Sequence, residues 1–448
     1  MRRLAATGLV SLGAVVSLGA AAACSHDTDL HAGADAAPEG APGTDAGHGI
    51  TVRSVAPRLT AALAAPVSAT WAAFQRDDGP WEPLAPEGEG TYAFAVPSAR
   101  WAIALVCASD DDALTTVSIH HRTAITHELE ITLEEQCTPA PPAAGLALIG
   151  TLSHLPPTTQ WLDFGYARDS RGSVLPVLAG KASYEEVGLA PGTWDLGFGI
   201  RDDSYGALTR VFFVRATALS SDRTLDVDAA GPSSFVPGQQ QLVLRGLDPS
   251  DSVTPRILYA AGGPQGIDVG PQDVPVDQQD VRLVYATVPS GAQVATDRYH
   301  GVLGAERDHR AARRTIDFSI HHAIDLDLTL PPAAPKPTVK VLGTAPQVRL
   351  ETRFLALANA ERHEVRVVAE LNRRTQHAWQ ATYDAASITS AEVVDTLPDL
   401  SALAGWRAEW ALPASVTASV TTTEVELAST LGDGTMQRTT ANATTVTP

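Results

Sequence analysis

The sequence is poor in lysine, in cysteine and in net positive charge. Only three of its 448 residues are lysines (Lys181, Lys336 and Lys340), so arginine supplies nearly all of the positive charge. The 51 acidic residues outnumber the 32 basic ones, and the formal net charge is −19. A chain this acidic lacks the basic patches with which proteins neutralise phosphates. We therefore expect no nucleic-acid partner and no polybasic contact with anionic lipid.

Several motifs that mark common enzyme classes are also absent. His363-Glu364 begins like the zincin motif HExxH, but Val367 stands where the second histidine is required, which excludes a zincin metalloprotease. The sequence contains no G-x-S-x-G elbow, no P-loop and no G-x-G-x-x-G fingerprint. We expect a non-catalytic protein without a cofactor, and keep as an alternative a hydrolase with an unrecognised site.

No stretch after the first 24 residues shows sustained helical periodicity. Short segments instead alternate between apolar and polar residues, such as Thr91–Val96, which stops at Pro97, and the Thr/Val-rich run 416–427. Hydrophobic residues make up 44% of the chain, enough to fill cores. Strands of this length separated by Gly, Pro and Asp turns predict an all-β fold. We expect tandem antiparallel β-sandwich modules, Ig-like or prealbumin-like, after a signal peptide and a flexible tether.

The first 24 residues indicate export. Arg2 and Arg3 precede the uncharged run 4–23, and small residues lead to Cys24, a pattern typical of a secretory signal. The cysteine after small residues resembles the bacterial lipobox, although Ala21 stands where the lipobox usually has leucine. That resemblance implies lipidation of Cys24 and an extracytoplasmic protein anchored to a bacterial membrane, at the outer membrane or cell surface. Ordinary cleavage and an uncleaved membrane helix remain alternatives.

The cysteine count fits this interpretation. If Cys24 carries a lipid, Cys107 and Cys137 remain as an even pair in an oxidising compartment, each at the end of a predicted strand. We predict a disulfide between them, closing a loop of about 30 residues. A pair of buried free thiols is the alternative.

Composition shifts divide the chain into segments. Residues 1–24 form the signal and 25–50 the flexible tether. The expected β domains are 51–139 with the disulfide, 145–230, 231–332 and 338–448. Within the second domain, the run from Val187-Gly188-Leu189 through Pro191-Gly192-Thr193-Trp194 to Leu196 resembles carboxypeptidase-regulatory-like β-sandwiches, with Trp194 replacing the usual tyrosine. The resemblance implies a fold and assigns no function.

Two groups of histidines and acids have the residue types of a metal site. They are His120, His121, His127 with Glu128, and His321, His322 with Asp325 and Asp327. On a strand, His120 points away from His121, and His127 lies too far along to share an ion. The aspartate clusters 110–112 and 202–203 lack the spacing of a calcium loop. We therefore expect no metal site.

Eight tryptophans offer surfaces for stacking on sugars. Trp101 and Trp194 lie inside predicted strands and are expected in cores. Trp81 follows a turn, and Trp406 and Trp410 follow a short predicted helical turn, so these three are candidates for exposure and for glycan binding. The function that the sequence favours is a membrane-anchored structural or interaction module with an unknown protein or polysaccharide partner. A glycan-binding surface protein is the alternative.

Overall fold

The fold was analysed in a computed structural model of the chain. It describes residues 48–55, 66–96, 100–109, 113–123, 128–133, 137, 146–166, 173–176, 182–189, 191–202, 207–260, 266–271, 280–308, 310–345, 347–372, 375–426 and 428–448.

The described residues form 31 strands and three single-turn 3₁₀ helices, at Ser290–Ala292, Ala385–Ser387 and Ala408–Trp410. The first strands are β1 (His48–Val55), β2 (Trp71–Arg76), β3 (Trp81–Pro83), β4 (Thr91–Val96), β5 (Arg100–Ala108), β6 (Leu114–Thr123), β7 (Glu128–Thr132), β8 (Leu146–Ser153), β9 (Trp161–Tyr166) and β10 (Ser173–Pro176). They are followed by β11 (Ala182–Leu189), β12 (Gly192–Arg201), β13 (Leu208–Leu219), β14 (Arg223–Thr224), β15 (Val227–Asp228), β16 (Ser234–Phe235), β17 (Gly238–Arg245), β18 (Ser252–Ala260), β19 (Gly266–Asp268) and β20 (Val281–Thr287). The last are β21 (Arg298–Arg307), β22 (Ala312–Ile320), β23 (Leu326–Thr329), β24 (Thr338–Gly343), β25 (Arg349–Leu355), β26 (Ala360–Asn372), β27 (Thr375–Asp384), β28 (Glu392–Thr396), β29 (Ala418–Glu426), β30 (Ser429–Leu431) and β31 (Gly434–Val446).

The all-β sandwich fold predicted from the sequence is confirmed. One sheet of 13 strands, which we call the long sheet, runs in the order β19-β18-β21-β22-β31-β29-β26-β27-β6-β5-β2-β3, with β30 paired to β31. Five smaller sheets accompany it: β4-β1-β7, β24-β25-β28, β20-β17-β23, β10-β9-β12-β13-β16, and β11-β8-β14 with β15. The long sheet therefore contains strands from three of the ranges that the sequence suggested as separate domains.

The strand β5 explains how two sandwiches are joined back to back. Its Trp101, Ile103, Leu105 and Cys107 belong to a core shared with the β4-β1-β7 sheet. Ala104 and Val106, on its opposite face, belong to a second core shared with the β24-β25-β28 sheet. Because both faces are buried, the strand reads as a continuous apolar run instead of alternating.

The adjacent strands β12 and β13 join two sandwiches in another part of the chain. Trp194, Leu196 and Phe198 of β12 fill a core with β8, β9 and β11. The other face of β12 presents Gly197, Gly199 and the buried Arg201. On the adjacent β13, Val211 and Phe213 enter the core that residues 242–330 build between the long sheet and β20-β17-β23.

The two sandwiches that meet at β12 approach each other closely through glycine. A Cβ atom at Gly165 on β9 would lie 2.7 Å from the backbone carbon of Gly266 on β19. That separation is shorter than non-bonded carbon atoms tolerate, so a side chain at residue 165 would push the two backbones apart.

Candidate functional site

A row of ionisable side chains crosses the core face of the long sheet. His121 on β6 lies opposite Tyr383 on β27, Tyr383 lies opposite His363 on β26, and His363 lies opposite Glu424 on β29. Residues directly opposite each other on neighbouring strands point to the same face of a sheet. We call these four residues the polar row.

A tyrosine–carboxylate hydrogen bond connects the polar row to the β24-β25-β28 sheet. We call this the covering sheet, because it packs over the row. The Tyr383 hydroxyl donates to Oδ1 of Asp395 on β28 at 2.5 Å. Asp395 is 3% exposed, and its Oδ2 has no hydrogen-bond partner among the described protein atoms. Burial raises the pKa of Asp395 to about 6, only partly opposed by the bond from Tyr383. Burial and the neighbouring Asp395 also raise the pKa of Tyr383.

The inner half of the row is a histidine–glutamate pair. His363 Nδ1 contacts the carboxylate of Glu424, and the two residues are 2% and 1% exposed. His363 is on the apolar side of β26, in line with Val365 and Val367. The phenyl ring of Phe354 on the covering sheet lies 6.3 Å from the His363 ring. The pair is therefore enclosed in the core and is not placed to contact a substrate.

The outer end of the row is a stacked pair of rings. The imidazole of His121 lies flat against the Tyr383 ring, with centroids 4.4 Å apart and an interplanar angle of 2°. Burial, followed by the charge of Arg122, lowers the pKa of His121 to about 4, while Asp78 acts in the opposite direction. His121 is therefore neutral in the folded protein near pH 7.

A second buried charge centre joins the sandwich of residues 146–229 to the next one. Asp297 is fully buried and accepts hydrogen bonds from both terminal nitrogens of Arg215, at 2.9 and 2.7 Å, and from the Tyr259 hydroxyl at 2.5 Å. Farther along the β12–β13 pair, buried Arg201 donates to Asp163 at 2.8 Å and to the carbonyl oxygen of Asp268 at 2.5 Å. Arg201 and Arg215 belong to β12 and β13, whereas Asp297 and Asp268 belong to the neighbouring sandwich.

The predicted disulfide is present. Cys107 on β5 is bonded to Cys137, with Cα atoms 4.9 Å apart. Cys107 is buried in the core beneath the β4-β1-β7 sheet, and Cys137 packs against the same core. The bond therefore ties the segment that follows β7 to the strand shared by two cores. Cys24, the predicted lipidation site, and the tether up to residue 47 lie outside the described residues.

The three tryptophans singled out for glycan binding differ in exposure. Trp410 is 2% exposed and is a core residue, so the expectation that it reaches the surface is wrong. It is the last residue of the 3₁₀ helix at Ala408–Trp410 and packs against Trp406, with ring centroids 5.5 Å apart. Trp406 and Trp81 are half-buried, and both pack against the same core. Trp101 and Trp194 are core residues, as expected.

A cluster of four tryptophans joins the first sandwich to the last. Trp71 on β2 lies 5.4 Å from Trp406 and 6.2 Å from Trp410 between ring centroids. Trp379 on β27 lies 5.9 Å from Trp406. The Trp71 indole donates to the carbonyl oxygen of Ala404 at 3.1 Å. Gly405 follows with φ of +81°, a left-handed conformation that glycine adopts without strain. These rings hold a junction together, and two of them, Trp379 and Trp410, are buried beyond the reach of a sugar.

The sequence-based metal candidates are not brought together. His120 and His121 point to opposite faces of β6, and His127 lies outside the described residues. His322 contacts Asp433 at 2.6 Å, and Asp327 pairs with Arg245 at 2.6 Å. Asp325 accepts a hydrogen bond from the backbone N–H of Gln241. Within the described ranges, no group of three or more His, Cys, Asp or Glu residues is arranged to hold a metal ion. Asp110–Asp112 and Asp203 lie outside them.

Among the described residues, clefts open to solvent include two shallow ones. One, of about 310 Å³, lies between β13, β17 and β20 and is lined by Leu208, Val269, Tyr285 and Arg282. The other, of about 330 Å³, lies beside β2 and is lined by Trp71, Leu84, Tyr92 and the prolines at 83 and 86. The polar row lines neither cleft.

The sequence analysis named His121 and His363 only as fragments of metal motifs and missed Tyr383 and Glu424, although a weak signal for the polar row was present. The alternation of charged and apolar residues from 364 to 371 correctly indicated a strand with one polar face. Extending the alternation by one residue places His363 on the apolar face of β26. In the same way, alternation along β29 places Glu424 on the same face as Val420. An ionisable residue at a position where the alternation predicts burial is expected to have a buried polar partner. Nothing local indicates that Asp395 and His121 join them.

Comparison with known proteins gives little. No family model matches the chain, and no curated protein matches it. Among solved structures, a marsupial T cell receptor matches at 9% identity and a TM-score of 0.10, covering 66% of this chain and 99% of the other. A likeness this weak carries no argument about fold or function. No helix among the described residues is both long and apolar enough to cross a bilayer.

Proposed function

We propose that this protein is a non-catalytic, lipid-anchored extracytoplasmic protein that acts as a rigid structural or interaction module. The observation that carries the proposal is the long sheet, which passes without interruption through three sandwiches. A partner bound at one end of such a sheet is held at a set distance and angle from the other end. The lipid-anchoring motif at Cys24 supports the anchored part of the proposal.

The shared strands support the rigid part of the proposal. Tandem domains joined only by linkers move relative to one another unless their interface is large and apolar. Here β5 and β13 each contribute side chains to two cores, so bending at either strand would expose apolar surface from both. Fully burying a large apolar side chain is worth about 1.5–3 kcal/mol, and each of these strands buries several.

The anchoring is tested by expressing the full chain in a bacterium with Cys24→Ser. We expect the wild type to incorporate labelled fatty acid and to sediment with membranes, and the variant to do neither. Ala21→Leu, which restores the usual lipobox residue, is the matched control and should be acylated at least as well. Membrane association that survives Cys24→Ser without fatty acid would show that another element holds the protein.

The rigidity is tested separately by small-angle scattering and by urea unfolding at pH 7. A rigid module predicts a scattering profile that fits one conformation, and the shared strands predict unfolding of all four sandwiches in one transition. Independent transitions, or a profile that requires several conformations, would contradict the proposal.

A further inference from the structure

We propose that β6 is an acid-sensitive latch, in which protonation of His120 and His121 loosens the pairing of β6 with β27 and frees the amino-terminal sandwich from the remainder of the long sheet. This inference does not depend on lipid anchoring, because it concerns a junction inside the folded protein. It rests on where the two histidines lie.

The latch is the backbone junction between the first and last parts of the chain. Strands β6 and β27 run parallel and pair from Leu114–Gln376 to His121–Tyr383. We call this β6–β27 pairing the seam. Beyond β6 lie β5, β2 and β3, and beyond β27 lie the remaining strands of the long sheet. Parallel pairing is slightly weaker per residue than antiparallel pairing. The seam is also the one parallel ladder among the described strands of the long sheet.

His120 is placed where a positive charge has no support. Both of its ring nitrogens are buried, and neither has a hydrogen-bond partner among the described protein atoms. The ring lies between Ile103 on β5 and Thr382 on β27, which are its direct neighbours in the sheet. Burial, then the charges of Arg122, His121 and Arg362, lowers the pKa of His120 well below its ordinary value.

His121 lies on the opposite face at the last pair of the seam. Its ring rests on Tyr383, whose hydroxyl is already committed to Asp395. Arg122 is adjacent and Asp78 is the acidic group that favours its protonated form. The next groups along the row are His363 and Glu424, which contact each other. A protonated His121 would therefore face a stacked phenol ring whose hydroxyl already donates to Oδ1 of Asp395.

The carboxylates near His120 are also engaged. Two strands away on the same face lies Glu364, the cross-strand neighbour of Thr382, and it pairs with Arg362 at 2.8 Å. Protonation of both histidines would therefore place three consecutive cations, at positions 120, 121 and 122, on one half-buried strand where the ring nitrogens of His120 are buried. Uncompensated charge in a buried site is strongly unfavourable.

The direction of the pH effect follows from the two lowered pKa values. The stability that the neutral histidines contribute is fully present above the ordinary histidine pKa of about 6.5. It is lost as the pH falls toward 4, because the open state takes up protons that the closed state excludes. Asp395 acts in the opposite direction, since its raised pKa makes the folded state bind a proton more readily in acid. One carboxyl group thus offsets part of the effect of two imidazoles.

The experiment is hydrogen exchange on the full chain at pH 7 and at steps down to pH 4, corrected for the intrinsic pH dependence of exchange. We expect amides of 114–123 and 375–384 to exchange at least about tenfold faster at pH 4.5, while those of β12 and β13 change little. Far-UV circular dichroism should stay constant over that step. The tryptophan emission should shift to the red, because Trp71 contacts Trp406 and Trp410 across the same junction.

The matched variant is His120→Leu with His121→Phe, which keeps the ring stacked on Tyr383 and removes both titrations. We expect its exchange at the seam to differ less than about twofold between pH 7 and pH 4.5. Seam exchange in the wild type that does not accelerate in acid, or that accelerates together with β12 and β13, would overturn the proposal. So would an unchanged acid response in the variant. Should the double variant not fold, His121→Phe alone must reduce the response.

Discussion

The protein contains two junctions between sandwiches that are built from opposite chemistries. The charged junction consists of Arg201 and Arg215 with Asp163, Asp268 and Asp297. The aromatic junction consists of the β6–β27 seam with Trp71, Trp379, Trp406 and Trp410. Ion pairs fix distances and angles, so the first junction specifies one orientation. Ring packing is less directional, so the second depends on backbone pairing for its geometry.

The comparison teaches where each junction is vulnerable. A buried ion pair contributes little beyond what a hydrophobic replacement would, but removing one partner leaves a charge without compensation. An aromatic cluster loses stability in proportion to the ring that is removed. The charged junction should therefore fail at single residues, and the aromatic junction should fail by degrees or through the titration of its neighbours.

The largest effect is expected from Asp297→Ala, which breaks the charged junction. Arg215 and Tyr259 both lose their buried acceptor, and we expect a loss of about 4 kcal/mol in the free energy of unfolding. Urea unfolding at pH 7 measures it. Asp280→Ala is the control, because Asp280 pairs with Arg245 at the surface and should cost less than about 1 kcal/mol. Equal losses in the two variants would contradict the view that the buried ion pairs make the charged junction fail at a single residue.

The next effect is expected from Trp71→Ala, which breaks the aromatic junction. The substitution removes two ring contacts and the hydrogen bond to Ala404 across the seam. We expect a loss of about 3 kcal/mol in the free energy of unfolding, measured in the same way. Trp71→Phe keeps most of the packing and should lose about half as much. If both variants lost the same amount, the indole hydrogen bond and not the packing would dominate.

A smaller effect, which depends on pH, is expected from Asp395→Asn. The raised pKa of Asp395 means that its ionisation destabilises the folded state as the pH rises from about 4 through 6. Asparagine can still accept the Tyr383 hydrogen bond and cannot ionise. The melting temperature of the variant, relative to the wild type, should therefore increase from pH 4 to pH 7, by an amount equivalent to at most about 3 kcal/mol. A difference in melting temperature that does not change with pH would show that Asp395 is not the group that titrates.

The smallest effect is expected from Trp81→Ala. Trp81 is half-buried on the short edge strand β3 and has no described ring contact with the four-tryptophan cluster. We expect a change below about 1 kcal/mol in the free energy of unfolding. A loss as large as that of Trp71→Ala would extend the aromatic junction to the edge of the sheet.

Local patterns in the sequence revealed the local structure and the disulfide. The alternation at 91–96 corresponds to β4, and the Gly432-Asp433-Gly434 turn joins β30 to β31. The charged junction was not predicted, because Arg215 and Asp297 are indistinguishable from surface residues until the two strands are placed together. The sharing of β5 was hinted at by its unbroken apolar run, but a run does not say which sheet covers each face. The assembly of the long sheet depends on pairings between distant segments, and these have no local signature.

The parallel pairing of β6 with β27 also sets an order of events during synthesis. Strand β6 ends at Thr123, but its neighbour begins only at Thr375. Until the ribosome has made that segment, β6 presents a row of unpaired backbone groups, which is a template for pairing with other chains. Contacts between such distant segments also slow folding. For most of the time that the chain is being synthesised, the amino-terminal sandwich thus has all the residues of its core but an unpaired edge at β6.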